Sequence, residues 1–128
     1  MRVLTTIAAL AIAATGIGAS AQRERDAPPP ATPDGEAVSC IQSSRIRSTD
    51  VHGDRVIDFH MTGGKVYRNE LPHACPSLGF EERFSYKTSI NQLCSTDIIH
   101  VLQTPPSVPG PACGLGKFQP VKIAKKPR

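Results

Sequence analysis

The sequence predicts a mainly β protein: a small antiparallel meander closing into a barrel or curled sheet of five to six strands, stapled by disulfides. Three observations predict it. Residues 45–71 read RIRSTDVHGDRVIDFHMTGGKVYRNEL, in which period-two segments are separated by glycine turns. Four cysteines follow an apolar N-terminus, an even number as a disulfide framework requires. The chain has no tryptophan, four phenylalanines and two tyrosines, so its core has few large rings and gains from covalent staples.

The meander comes first. Residues 46–51 mix β-branched and polar side chains, and His52-Gly53-Asp54 signals a turn. Residues 55–61 form a second strand, with Ile57, Phe59 and Met61 on one face and Val56, Asp58 and His60 on the other. Thr62-Gly63-Gly64 is a second turn, where glycine permits positive φ. Residues 65–71 form a third strand, with Tyr67, Asn69 and Leu71 opposite in direction to Val66, Arg68 and Glu70.

Beyond Pro72 the pattern weakens. Residues 80–88 predict a fourth strand centred on 83–87, and residues 89–93 one helical turn. Residues 97–102, DIIHVL, are nearly continuous in apolar side chains and predict a central strand. Residues 104–116, TPPSVPGPACGLG, predict a loop that is neither helix nor central strand. Residues 117–123 predict a last strand, confined to a sheet edge by Pro120. Barrel closure is the expected way to remove exposed edges.

The domain organisation follows from composition. Arg2, the apolar run 3–17 and Ala19-Ser20-Ala21 have the layout of a secretory signal peptide cleaved after Ala21. The run is shorter than the ~20 residues that span a bilayer. No cysteine directly follows the cleavage point, where Gln22 stands, so no lipoprotein anchor is expected, nor any transmembrane segment. Residues 22–37 are rich in charge and proline and predict a disordered tether. A single disulfide-stabilised β domain is expected over 38–123, followed by a basic tail over 124–128. Residues 22–128 hold 14 basic and 11 acidic residues, net +3. Lys117, Lys122, Lys125, Lys126 and Arg128 supply that excess from the C-terminal end, without the aromatic interleaving of a nucleic-acid surface. No nucleic-acid partner is expected; an envelope protein or an anionic envelope polymer is.

Export favours disulfides. Cys40, Cys75, Cys94 and Cys113 are 35, 19 and 19 positions apart, which excludes CxxC redox and zinc-ribbon spacings. Four cysteines allow three pairings. The arrangement favoured is Cys75 with Cys94, clamping the irregular middle segment, and Cys40 with Cys113, closing the domain. In the chain-entropy model these contribute about 3 and about 4 kcal/mol.

Catalytic motifs are missing. GLGK at 114–117 fails as a phosphate loop: Pro111 stands where its first glycine belongs, Phe118 replaces the Ser or Thr, and Pro120 opposes a helix. No GxSxG or HExxH occurs. His52, His60, His73 and His100 have no metal-type spacing; His60, His73 and His100 are the weak metal candidates. Asp97 and His100 point to opposite sides of a strand, whereas Asp58 and His60 share a face without a nucleophile. No catalytic residue and no cofactor is expected.

The ordered set IRSTDV, DRVIDF, VYRNEL, CPSLGF, LCSTDIIHVL and CGLGKFQPV, with its four cysteines, spans Cys40 to Val121. It resembles a family of small exported proteobacterial four-cysteine proteins of unknown function. The resemblance implies a secreted single domain and brings no activity, cofactor or catalytic residue. The function expected is a non-enzymatic binding or envelope-associated role, periplasmic or secreted. The alternative is a periplasmic metal-binding protein using histidines.

Overall fold

The computed structural model describes residues 27–104 and 108–124. Ten strands run in the order β1 (Ala31–Pro33), β2 (Cys40–Ile41), β3 (Ile46–His52), β4 (Val56–Met61), β5 (Val66–Glu70), β6 (Phe84–Tyr86), β7 (Leu93–Cys94), β8 (Ile98–Gln103), β9 (Val108–Gly114) and β10 (Phe118–Ile123). A one-turn helix, α1 (Leu78–Glu81), lies between β5 and β6, and a 3-10 turn, Ser43–Arg45, leads into β3.

The meander β3-β4-β5 forms as the alternation requires. Val56↔His52 and His60↔Val66 are cross-strand partners beside the two glycine turns. Gly53, Gly63 and Gly64 sit at φ of 65°, 94° and 91°, which a Cβ would disfavour. Ile57, Phe59 and Leu71 are fully buried and Met61 nearly so. The face assignment made from period two therefore holds.

The strands do not close into a barrel, nor into one curled sheet. They divide among a five-stranded sheet, β1-β10-β5-β4-β3, a three-stranded sheet, β6-β8-β9, and a two-stranded ribbon, β2-β7, all antiparallel. Closure would need β3 and β1 to pair, and they stand at opposite ends of the large sheet. The later strands satisfy their hydrogen bonds among themselves and so cover the apolar face of the first sheet instead of extending it. Phe59 joins the layers. Its ring meets Phe118 of β10 edge-on at 5.4 Å and Phe84 of β6 at 6.2 Å. Ile99, Val101, Leu93, Leu78 and Leu115 complete the core.

Several expectations need correction. The tether expected over 22–37 contains β1, which pairs with β10 through Ala31↔Ile123 and Pro33↔Val121; Val38 bridges Phe118. The helical turn expected at 89–93 is absent, and Leu93 begins β7 instead. The helix lies earlier, taking Phe80 out of the expected fourth strand, which shrinks to Phe84–Tyr86. The loop expected at 104–116 contains β9, an edge strand against β8. β8 is central, as its apolar run predicts.

β10 is not an edge strand: it lies between β1 and β5. Pro120 is tolerated because its carbonyl accepts from Asp34 N at 2.8 Å. That position therefore turns its polar edge toward β1, just where β1 ends. The missing N–H costs no bond to β5. The signal peptide expected over 1–21 and the basic residues at 125–128 lie outside the described residues.

The disulfides join Cys40 to Cys94 and Cys75 to Cys113, so all four cysteines are bridged but the favoured pairing is wrong. The loops interlace rather than nest. β2 and β7 pair with Cys40 directly opposite Cys94, their Cα atoms 4.0 Å apart. Cys75 is buried just before α1, held by Cys75 N donating to Asp54 O at 2.7 Å, and reaches Cys113 on β9.

Candidate functional site

The outer face of the five-stranded sheet carries a polar ladder. Asp50 and Asp58 are direct partners across β3 and β4, a like-charge juxtaposition that is unfavourable alone. Each is relieved by a diagonal histidine. His60 Nε2 lies 2.8 Å from Asp50 Oδ2, and His52 Nε2 lies 3.0 Å from Asp58 Oδ2. Carboxylates accept only, so in both pairs Nε2 carries the hydrogen.

Asp58 is fully buried and holds a second partner. Arg68, its direct neighbour on β5, donates Nε to Oδ1 at 2.8 Å and Nη2 to Oδ2 at 3.0 Å. Nη2 also donates to Pro29 O at 2.9 Å, so the segment preceding β1 is tied over this face. The planar guanidinium suits such bidentate contact. Both oxygens of the Asp58 carboxylate have internal partners. The Asp58–Arg68–His52 group is therefore a structural lock.

A different arrangement surrounds the β4–β5 turn. A cleft of about 370 Å³ is lined by Cys40, Ile41, Gln42, Arg45, Met61, Thr62, Lys65 and Tyr67. Among the described residues, two cations and no carboxylate line it. Its walls are tied together by backbone bonds: Arg45 N to Gln42 O, Thr62 N to Arg45 O and Met61 N to Lys65 O. Asn91 grips the 3-10 turn from behind, its Oδ1 accepting from Ser43 Oγ at 2.9 Å and Ser44 N at 2.8 Å. The Lys65 ammonium stands 5.1 Å from the centre of the Tyr67 ring. Across the turn, a second hollow of about 550 Å³ is lined by residues that include Val66, Val121, Lys65, Lys122, His60 and Asp34. Lys65 belongs to both hollows.

The structure separates the histidine candidates. His60 is on β4 in its pair with Asp50, His73 is exposed after β5, and His100 is exposed on β8 opposite Ser85 and Ala112. Among the described residues, no three His, Cys, Asp or Glu side chains are grouped to hold a metal ion. Asp58 and His60 share the outer face but bond to different partners. GLGK is built into the fold: Gly116 N donates to Asn69 Oδ1 at 2.8 Å and Gly116 O accepts from Asn69 Nδ2 at 2.7 Å. The amide that a phosphate loop would offer is already used.

Sequence reasoning missed Arg45, Lys65 and Arg68. A signal for Arg68 existed, since counting outward from Gly63 places residue 58 opposite 68. None existed for Arg45 with Lys65, whose approach depends on the turn at 43–45. Among the described residues no helix is long and apolar enough to cross a membrane. No family model, curated protein or solved structure matches the chain.

Proposed function

We propose that the protein is exported, with residues 1–21 removed as a signal peptide, and acts in the periplasm or outside the cell as a non-enzymatic binding domain. Its partner is an envelope protein or an anionic envelope polymer. The observation that carries the reading is the pair of interlaced disulfides, Cys40–Cys94 and Cys75–Cys113, because such bridges persist in oxidising compartments and are rare in the cytosol. The layout of the first 21 residues and the resemblance to exported four-cysteine proteins support it further. The cations around the β4–β5 turn support an anionic partner, since the described residues together carry as many acidic as basic side chains and this end is locally basic. Fractionation of the host tests the proposal. The protein is expected in the envelope or medium, beginning at Gln22 and showing no free thiol when denatured without reductant. Intact Met1 in the cytosolic fraction, with four titratable thiols, overturns it.

A further inference from the structure

We propose that the cleft between the 3-10 turn and the β4–β5 turn is an oxyanion site, with Arg45 and Lys65 as its charged ligands and a phosphate group as the anion it takes. The inference deepens the binding reading above and rests on it.

The charge pattern is the first argument. Elsewhere, basic groups beside the core have internal partners: half-buried Arg68 holds Asp58, and Arg55, though exposed, donates to Leu71 O and Pro72 O. Among the described residues neither Arg45 nor Lys65 has a carboxylate partner. Arg45 has one weak side-chain bond, Nε to Thr62 Oγ1 at 3.4 Å, and its remaining guanidinium hydrogens are open to a ligand.

Preorganisation is the second argument. The backbones of Gln42, Arg45, Met61, Thr62 and Lys65 form one hydrogen-bonded unit, and the Cys40–Cys94 bridge closes its far wall. The backbone frame needs no rearrangement when an anion binds at this cleft, so the ordering cost is confined to the two exposed side chains. The Gln42 amide and Thr62 hydroxyl add neutral donors of the kind phosphate oxygens accept. Ile41, Met61 and Tyr67 add an apolar wall, which suits a phosphate carried on a larger body.

The test uses the purified, oxidised full chain, so it does not depend on where the cell places the protein. Amide resonances are followed while inorganic phosphate replaces chloride at constant ionic strength. Saturable shifts confined to residues 42, 45, 62 and 65 are expected, and Arg45→Gln or Lys65→Gln weakens them about tenfold, as loss of one charge-assisted bond implies. Both side chains are exposed, and an unchanged amide spectrum for β4 and β8 checks that the variants fold. Vesicles of phosphatidylglycerol, against neutral phosphatidylcholine, form a second arm. Displacement of the protein from anionic vesicles by phosphate assigns the group to a lipid headgroup. Phosphate binding without vesicle binding assigns it to a free or polymer-borne phosphate. Shifts that grow linearly and equally at Lys87 and Lys117 overturn the proposal, as does binding that survives in both variants. Failure of export leaves this result standing, and failure here leaves export standing.

Discussion

Replacing Arg68 by alanine tests whether the outer-face cluster is a lock. Asp58 is fully buried and Arg68 supplies two of its three hydrogen bonds. Removing the guanidinium leaves a buried carboxylate with His52 alone, and orphaning one partner of a buried pair costs about 3–5 kcal/mol. With an m-value near the lower end for urea, about 1–2 kcal/mol/M, the unfolding midpoint is expected to fall by roughly 2–4 M. Asp50→Ala is the internal control. Its pair with His60 lies on the same face, but Asp50 is 60% exposed, and a pair of that kind contributes under about 1 kcal/mol. The double variant Asp58→Leu, Arg68→Met removes both charges together and is expected to recover most of the loss, because the penalty belongs to the uncompensated ion. Arg68→Ala also frees Pro29 O, so amide protection at Ala31–Pro33 should drop before that of β4. Equal costs for Arg68→Ala and Asp50→Ala would refute the reasoning, since burial would then not distinguish the two pairs.

Four further outcomes are expected. Proteolytic mapping without reduction should recover Cys40 linked to Cys94 and Cys75 linked to Cys113; replacing either pair by serine should cost about 2–5 kcal/mol by denaturant titration. Asn69→Ala should cost about 2–4 kcal/mol in the same assay, because it leaves the N–H and C=O of Gly116 without their partner. Gly79→Ala places a Cβ 2.8 Å from the Gly53 backbone and should lower stability by about 1–3 kcal/mol. Asn91→Ala, at a residue outside the cleft lining, should speed amide exchange at 43–45 and weaken phosphate binding as read at residues 42, 45, 62 and 65 alike.

The part of the fold legible in the sequence is the part held by local pairing. Between residues 46 and 71, side-chain alternation and glycine turns fix strands and faces together, and the buried set Ile57, Phe59, Met61 and Leu71 follows directly; the register shift in β3 between Ile46 and Ser48 has no such signal. The remainder depends on distant partners. β2 and β7 are two residues each, too short for any periodicity, yet their pairing brings Cys40 opposite Cys94. β1 is drawn from a proline-rich stretch whose composition resembles a tether, and it is ordered by β10 and Arg68 instead of by its own burial. Pro120 argued for an edge because it lacks a donor, but an internal strand tolerates it where its neighbour stops. The cleft was illegible for the same reason, since its two cations belong to segments joined only after β3 and β4 have paired.

The division of labour between the two halves explains why the cleft needs the whole chain. The meander supplies Met61, Thr62, Lys65 and Tyr67. It cannot supply the opposite wall. Cys40, Ile41, Gln42 and Arg45 precede β3, and nothing in the meander fixes the course of the chain before Arg45. That course is set from the second half. Asn91 holds Ser43 and Ser44, while β7 pairs with β2 through Ile41↔Leu93 and the Cys40–Cys94 bridge. Leu93 in turn is buried in the common core with Phe59. Reducing Cys40–Cys94 therefore loosens the wall that carries Arg45 while Cys75–Cys113 still binds the second layer to the meander's far turn, where Cys75 meets Asp54. The two bridges act on opposite ends of the large sheet: one closes the cleft, and the other secures the β3–β4 turn.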